Sequence, residues 1–201
     1  MDLETRKKAR VILVIFIILL IPLIFFTKWM IGVQINNRVE DRIYRSPIGF
    51  TDATVIKSGI NDLERAKFYA KRNYLIYYNQ ARLYCLLKDY PRAIGVIEQY
   101  ESINKHQQKL DYLKGLIYDI LDKRDSAIHC YSLAFGTYHK PNSLNDSLSF
   151  VMPMFLIYGK DSAYEYLPKR AGSELDNMNV KIYRGVIDSV SYKDFALENV
   201  Q

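Results

Sequence analysis

The hydrophobic pattern changes character along the chain. Residues Val11 to Phe26 read VILVIFIILLIPLIFF, in which fifteen of sixteen positions are Val, Ile, Leu or Phe and Pro22 is the exception. A run apolar on every side is not the stripe of an amphipathic surface helix. At roughly 0.3–0.6 kcal/mol each, these side chains favour membrane insertion by about 4–9 kcal/mol. Extended through Ile31, the run reaches about 20 residues, enough to cross a hydrocarbon core of about 30 Å. The pattern therefore predicts a transmembrane helix over residues 11–33, running from Val11 past Phe26. Lys28 would snorkel to the interface and Trp29 would anchor at headgroup level. Pro22 is tolerated in a membrane helix, where it adds a kink.

Beyond the span the pattern weakens. Residues 34–60 contain Pro47, Gly49 and Gly59 with β-branched residues between them, and show no sustained helical period. They read as a juxtamembrane linker. From Asn61 onward the apolar spacing becomes helical, with Asn61 as the N-cap of a helix through Arg72. Residues 61–201 are expected to form one helical domain.

An internal repeat follows. When the sequence is slid along itself until Tyr78 meets Tyr112, Tyr84, Leu87, Ala93 and Ile94 fall on Tyr118, Leu121, Ala127 and Ile128. Close substitutions join them: Ala81 on Gly115, Leu83 on Ile117, Leu86 on Ile120 and Ile97 on Tyr131. Lys88-Asp89-Tyr90-Pro91-Arg92 and Lys123-Arg124-Asp125 read as the turns inside two helical hairpins, and Pro91 suits a first helical turn. A weaker third copy begins where Asp125-Ser126-Ala127 recurs as Asp161-Ser162-Ala163. The turn-forming stretch Thr137–Ser147 accounts for its longer spacing, and Pro153 and Pro168 predict short or interrupted helices there. Leu175, Met178, Ile182 and Val186 stand at helical spacing and predict a terminal helix capping the stack.

The shift that superimposes the copies matches the period of the tetratricopeptide repeat, about 34 residues, and in these positions the chain resembles that family. Small residues at Ala81/Gly115 and Ala93/Ala127 stand where two antiparallel helices approach closely. Tyr84 and Tyr118 stand where an aromatic fills the wedge between hairpins. The resemblance implies an all-α fold: a short α-solenoid of antiparallel hairpins preceded by one transmembrane helix. Its repeats would cover residues 74–107, 108–141 and, degenerate, 145–171, with a C-terminal helix over 173–190. It also implies a concave surface lined by the first helix of each hairpin. That places Tyr78, Asn79 and Arg82 from the first hairpin, and Lys109, Tyr112, Leu116 and Asp119 from the second, in a partner-binding groove. Family members that capture a C-terminal carboxylate do so with a Lys and Asn clamp. Here Tyr78 and Arg82 occupy those places, which disfavours that ligand and points to an extended or helical polypeptide segment.

Charge and chemistry narrow the picture further. The 201 residues carry 28 Lys+Arg against 22 Asp+Glu, a net charge of +6. Half of that excess lies at the N-terminal end, up to Lys28, and the near-neutral remainder lacks the basic excess that nucleic-acid binding needs. Four basic residues precede the span (Arg6, Lys7, Lys8, Arg10) and four follow it closely (Lys28, Arg38, Arg42, Arg45), so the charge rule for orientation ties. The compact first cluster in residues 1–10 favours a cytoplasmic N-terminus in the inner membrane, with the C-terminal domain extracytoplasmic. The apolar run is too long for a cleaved signal and no A-x-A site follows, so an uncleaved anchor is expected.

No metalloprotease, phosphate-loop, C-x-x-C or nucleophile-elbow motif is present. His106, His129 and His139 share no metal-ligand spacing, and Cys85 and Cys130 read as buried small hydrophobes. No catalytic residue, metal or cofactor is expected. The sequence reads as a membrane-anchored scaffold or adaptor that binds a partner protein or peptide, with a layout similar to small bacterial envelope proteins. Two other readings fit the same features: an organellar import receptor with cytosolic repeats, and a homo-oligomeric structural protein whose groove holds another copy.

Overall fold

The computed structural model describes residues 3–46, 49, 51–136, 144–167 and 174–200, and all regular structure among them is helical. The chain divides into two compact units, Met1–Leu83 and Tyr84–Gln201.

The first unit contains α1 (Leu3–Tyr44), α2 (Ala53–Tyr69) and the start of α3 (Tyr74–Leu86). α1 is one continuous helix of 42 residues that carries Pro22 inside it. At 1.5 Å per residue it is about 63 Å long, about twice what a hydrocarbon core requires. Its two halves differ in surroundings. From Ile18 to Trp29 every side chain is exposed, whichever way it points. From Gly32 onward one face is packed: Gly32, Asn36, Val39 and Ile43 are buried, at spacings of four, three and four.

α2 lies against that face, running antiparallel to α1. Its buried residues Ile56, Gly59, Ile60, Leu63, Ala66 and Lys67 follow the same helical period. Asp52 caps it, accepting the backbone N–H groups of Thr54 at 2.7 Å and Val55 at 3.3 Å. Two glycines set the separation. A Cβ on Gly32 would stand 2.6 Å from Ala70 Cβ, and one on Gly59 would stand 2.9 Å from Leu83 Cδ1 and 3.2 Å from Val39 Cγ1. The Asn79 side-chain amide on α3 donates to Asn36 Oδ1 at 2.9 Å within this packing.

These observations correct the expected linker. Residues 34–44 continue the first helix, and the second begins at Ala53 with Asp52 as its cap, not at Asn61. The segment 34–60 hid its period because Asn36 and Gly59, both buried, do not count as apolar in a hydropathy pattern. Packing on α1 begins at Gly32, one position before the residue at which the expected span ends. Pro47 lies outside the described residues.

The second unit holds α4 (Tyr90–Glu101), α5 (Gln108–Ile120), α6 (Arg124–Phe135), α7 (Leu144–Tyr158), α8 (Lys160–Tyr166), α9 (Glu174–Ser189) and α10 (Tyr192–Val200). Neighbours in sequence pack together, from α4 on α5 through α7 on α8, and α9 rests on α7 and α8. Asp89 accepts the Arg92 N–H at the start of α4, and Pro91 stands in its first turn as expected. Ala93, Ile97, Gly115, Ala127 and Tyr131 are buried between helices. Their spacing is tight: a Cβ on Gly115 would fall 2.4 Å from Tyr131 Cε1.

The connections after Leu86 and Ile120 are alike. Lys88 and Asp122, which stand at the same position of the internal repeat, both adopt left-handed backbone, with φ of 58° and 56°. In each turn the following N–H reaches back to a tyrosine carbonyl, Asp89 to that of Tyr84 and Lys123 to that of Tyr118, both at 2.9 Å. The helix expected over 173–190 is found as α9. Among its described side chains Val180 and Ile187 are buried, however, while Met178 and Ile182 face outward, and the side chain of Leu175 lies outside the described residues. α10 is an element the sequence pattern did not predict, and it packs against α5. The turn residues 137–143 and Pro168 lie outside the described residues.

Candidate functional site

The residues expected to line a groove meet different fates. In the first unit Tyr78 and Arg82 are half-buried on α3. The Arg82 guanidinium lies 4.3 Å from the Tyr44 ring centroid and 5.8 Å from that of Tyr78. Such cation–π stacking holds the two rings and the cation as one partly exposed cluster. Asn79 is a correction. It is buried, and its amide is committed to Asn36, so it is not an exposed contact.

In the second unit Lys109 is exposed, and Tyr112 is half-buried in an aromatic cluster with Tyr131 and Phe135, at centroid distances of 6.0 and 5.6 Å. Leu116 and Asp119 are further corrections: both are buried, because α5 is covered by α6 on one side and by α10 on another. A helix covered on several sides keeps little free surface, whatever its position in a repeat.

Asp119 is the centre of a polar network. Arg124 Nη1 donates to both of its carboxylate oxygens at 3.1 Å, and the Tyr131 hydroxyl donates to Oδ2 at 2.8 Å. Burial together with the Asp119 charge pushes the Tyr131 phenol far above its ordinary range, so it stays a donor. Arg124 also donates through Nη2 to the Leu156 carbonyl, and its guanidinium lies 3.5 Å from the Tyr192 ring centroid. Lys193 Nζ pairs with Asp122 Oδ2 at 2.6 Å. Asp119, Asp122, Arg124, Ser191, Tyr192 and Lys193 line an open cleft of about 440 Å³. The turn between α5 and α6 thus receives the start of α10. The apolar spacing Tyr192, Phe195, Ala196 and Val200 signals that helix in the sequence, but in a segment too short to stand out.

A second cluster closes the connection between α4 and α5. His106 Nδ1 and Asp111 Oδ1 are 3.1 Å apart, and ligand-type atoms of Glu101, His106 and Asp111 lie within 4.8 Å of one another. Asp111 is buried and its pKa is raised, chiefly by that burial, with His106 acting against it. The Lys114 ammonium is already 2.9 Å from Glu101 and 3.5 Å from Glu98. The acidic charge is therefore met by a fixed cation of the protein. Cys85 and Cys130 are buried thiols, and burial pushes the Cys130 pKa up to about 11, which keeps it protonated and unreactive at neutral pH.

Of the expected anchor residues, Phe26, Lys28 and Trp29 are exposed, and the Phe26 and Trp29 rings lie 6.1 Å apart on one side of α1. The side chain of Val11 lies outside the described residues.

The fold and these clusters define an all-α protein of sequentially paired helices with one N-terminal helix apolar and long enough to cross a membrane. No protein-family model matches the chain, and neither a curated protein nor a solved structure does so.

Proposed function

We propose that this is a single-pass membrane-anchored adaptor, akin in design to tetratricopeptide proteins, whose helical hairpins hold a segment of a partner protein at the membrane surface. The observation that carries the reading is the division of α1. Its apolar stretch is exposed on all sides, while the same helix from Gly32 onward is packed into a folded unit. A cleaved signal would not need to continue as part of a folded core. The two turns at Lys88 and Asp122, alike in backbone and separated by one repeat period, support kinship with the repeat family. α10 lying on α5 supports binding of a helical segment, because a short amphipathic helix already rests there. The basic cluster from Arg6 to Arg10 favours a cytoplasmic N-terminus with the paired helices on the far side.

The test has two parts. Alkaline carbonate washing should leave the full-length chain in the membrane fraction, with its N-terminus intact by mass spectrometry. A mature chain beginning near residue 30 or later would establish a signal sequence instead. Photo-crosslinkers placed singly at Arg82 and at Lys109 should then each capture protein in cells. Tyr78→Ala with Arg82→Ala should reduce capture at a probe on α3, and Tyr112→Ala capture at Lys109, with helicity unchanged. Unchanged crosslinks in those variants would overturn the assignment of α3 and α5 as the binding helices.

A further inference from the structure

We propose that the corner between α2 and α3 rests in the headgroup layer of the membrane that α1 crosses, with Phe68 and Leu75 among the lipid and Lys71 and Arg72 on anionic headgroups. The inference builds on the reading of α1 as an anchor.

Register places the corner at the right height. Gly32 packs against Ala66 and Ala70, so the C-terminal end of α2 returns to the level of Gly32. Asn36 meets Asn79 one turn further along, which brings the first turn of α3 down to the same level. Trp29 is three positions below Gly32, about 4.5 Å along the helix axis. The segment from Ala70 to Leu75 therefore faces the plane where Lys28 and Trp29 would meet the headgroups.

Its surface has the matching chemistry. Phe68 is 79 % exposed, more than any other large apolar side chain recorded among the described residues, and Leu75 is also exposed. On α1 at the same end, Phe26, Trp29 and Ile31 are exposed too. Scattered exposed hydrophobes are ordinary, but these converge on one end of one unit. The exposed cations there are Lys28, Lys71 and Arg72. No carboxylate occurs from Thr5 to Val39 or from Arg65 to Lys88, so nothing in those stretches opposes an anionic surface. Aromatic rings beside basic side chains are the composition of a membrane interface.

The test uses the full chain in vesicles of phosphatidylcholine, with and without phosphatidylglycerol, containing lipids brominated near the headgroup end of the acyl chain. Trp29 is the only tryptophan, so the parent reports the anchor directly. In a Trp29→Phe background, Phe68→Trp reports the corner. Arg45→Trp, just past the far end of α1, reports a solvent position. The expected result is loss of emission to brominated lipid at positions 29 and 68 and none at position 45. Lys71→Glu with Arg72→Glu should reverse the loss at position 68 in the anionic vesicles. Quenching at 29 but not at 68 overturns this inference and leaves the anchor intact. An unquenched position 29 overturns the anchor reading, and this inference with it. A blue-shifted but unquenched indole at position 68 would mean that protein covers the corner, which also overturns the proposal.

Discussion

Gly32 and Ala70 touch so closely that no other residue fits at position 32 without moving a helix. A Cβ there would lie 2.6 Å from the Ala70 methyl, 3.0 Å from the Ala66 carbonyl oxygen and 3.1 Å from the Ala70 nitrogen. Two of those three contacts are backbone, so the clash cannot be relieved by a rotamer change. Gly32→Ala should therefore destabilise the packing of α1 on α2 by about 1–3 kcal/mol, despite the better helix propensity of Ala. Ala70→Gly in the same chain should recover part of the loss, giving a favourable coupling in a double-mutant cycle. Urea titration of the detergent-solubilised chain measures both. Additive effects would show that the two residues do not meet.

Lys88 pairs a large side chain with left-handed backbone, a conformation that costs roughly 1–2 kcal/mol for an L residue. Lys88→Gly should raise stability by about 0.5–1 kcal/mol once the greater freedom of glycine in the unfolded chain is subtracted. Asp122→Gly should gain less, because Asp tolerates the conformation better and the substitution also removes the pair with Lys193. A higher melting temperature for Lys88→Gly checks the first expectation. An unchanged or lower value would mean that the turn is not held in the left-handed region.

The turns after Leu86 and Ile120 were legible because their chemistry is local: Asp89, Pro91 and the residues on either side of Lys88 and Asp122 are read within a few positions. The long apolar N-terminal helix was legible for the same reason. What escaped depends on partners far away in sequence. Asn36 is buried only because Asn79 answers its amide, and Gly32 and Gly59 matter only because Ala70, Val39 and Leu83 arrive beside them. Leu116 and Asp119 were expected to line a groove, yet α10, from the far C-terminal end of the chain, packs on their helix. A periodicity argument finds which face of a helix is special. It does not say what will cover that face.

Asp111 makes a prediction about pH. Burial raises its folded-state pKa above the ordinary 3.8, so the folded chain holds that proton more tightly than the unfolded one. Its contribution is then fully favourable below 3.8 and is lost as pH rises through the raised value. The Oδ2 atom is buried without a hydrogen-bond partner, which is consistent with a penalised charge. Asp111→Asn should therefore be more stable than the parent at neutral pH, and the difference should shrink as the solution is acidified toward the ordinary carboxylate range. Melting temperature followed against pH tests this. A variant less stable at neutral pH would mean that the charge is compensated by His106 and Lys114.

Arg124 and Lys193 both bind carboxylates near the same turn, yet their removal should have very different consequences. Lys193 and Asp122 form an exposed pair, whose contribution in water is about 0–1 kcal/mol. Arg124 is the cation facing Asp119, whose side chain is only 2 % exposed. Without it the carboxylate keeps the Tyr131 hydroxyl but loses its counter-charge, at a cost of roughly 3 kcal/mol, the lower end for a broken buried pair because Arg124 is itself partly exposed. The same guanidinium also stacks on Tyr192 and reaches the Leu156 carbonyl, so its loss should loosen the start of α10. Arg124→Ala should lower the urea midpoint clearly and speed hydrogen exchange in Tyr192–Val200, while Lys193→Ala should leave both near the parent. Asp119→Asn added to Arg124→Ala should recover part of the stability by removing the stranded charge. Equal effects of Arg124→Ala and Lys193→Ala would mean that α10 is held by its apolar side chains alone, and that the network around Asp119 takes no part in seating it.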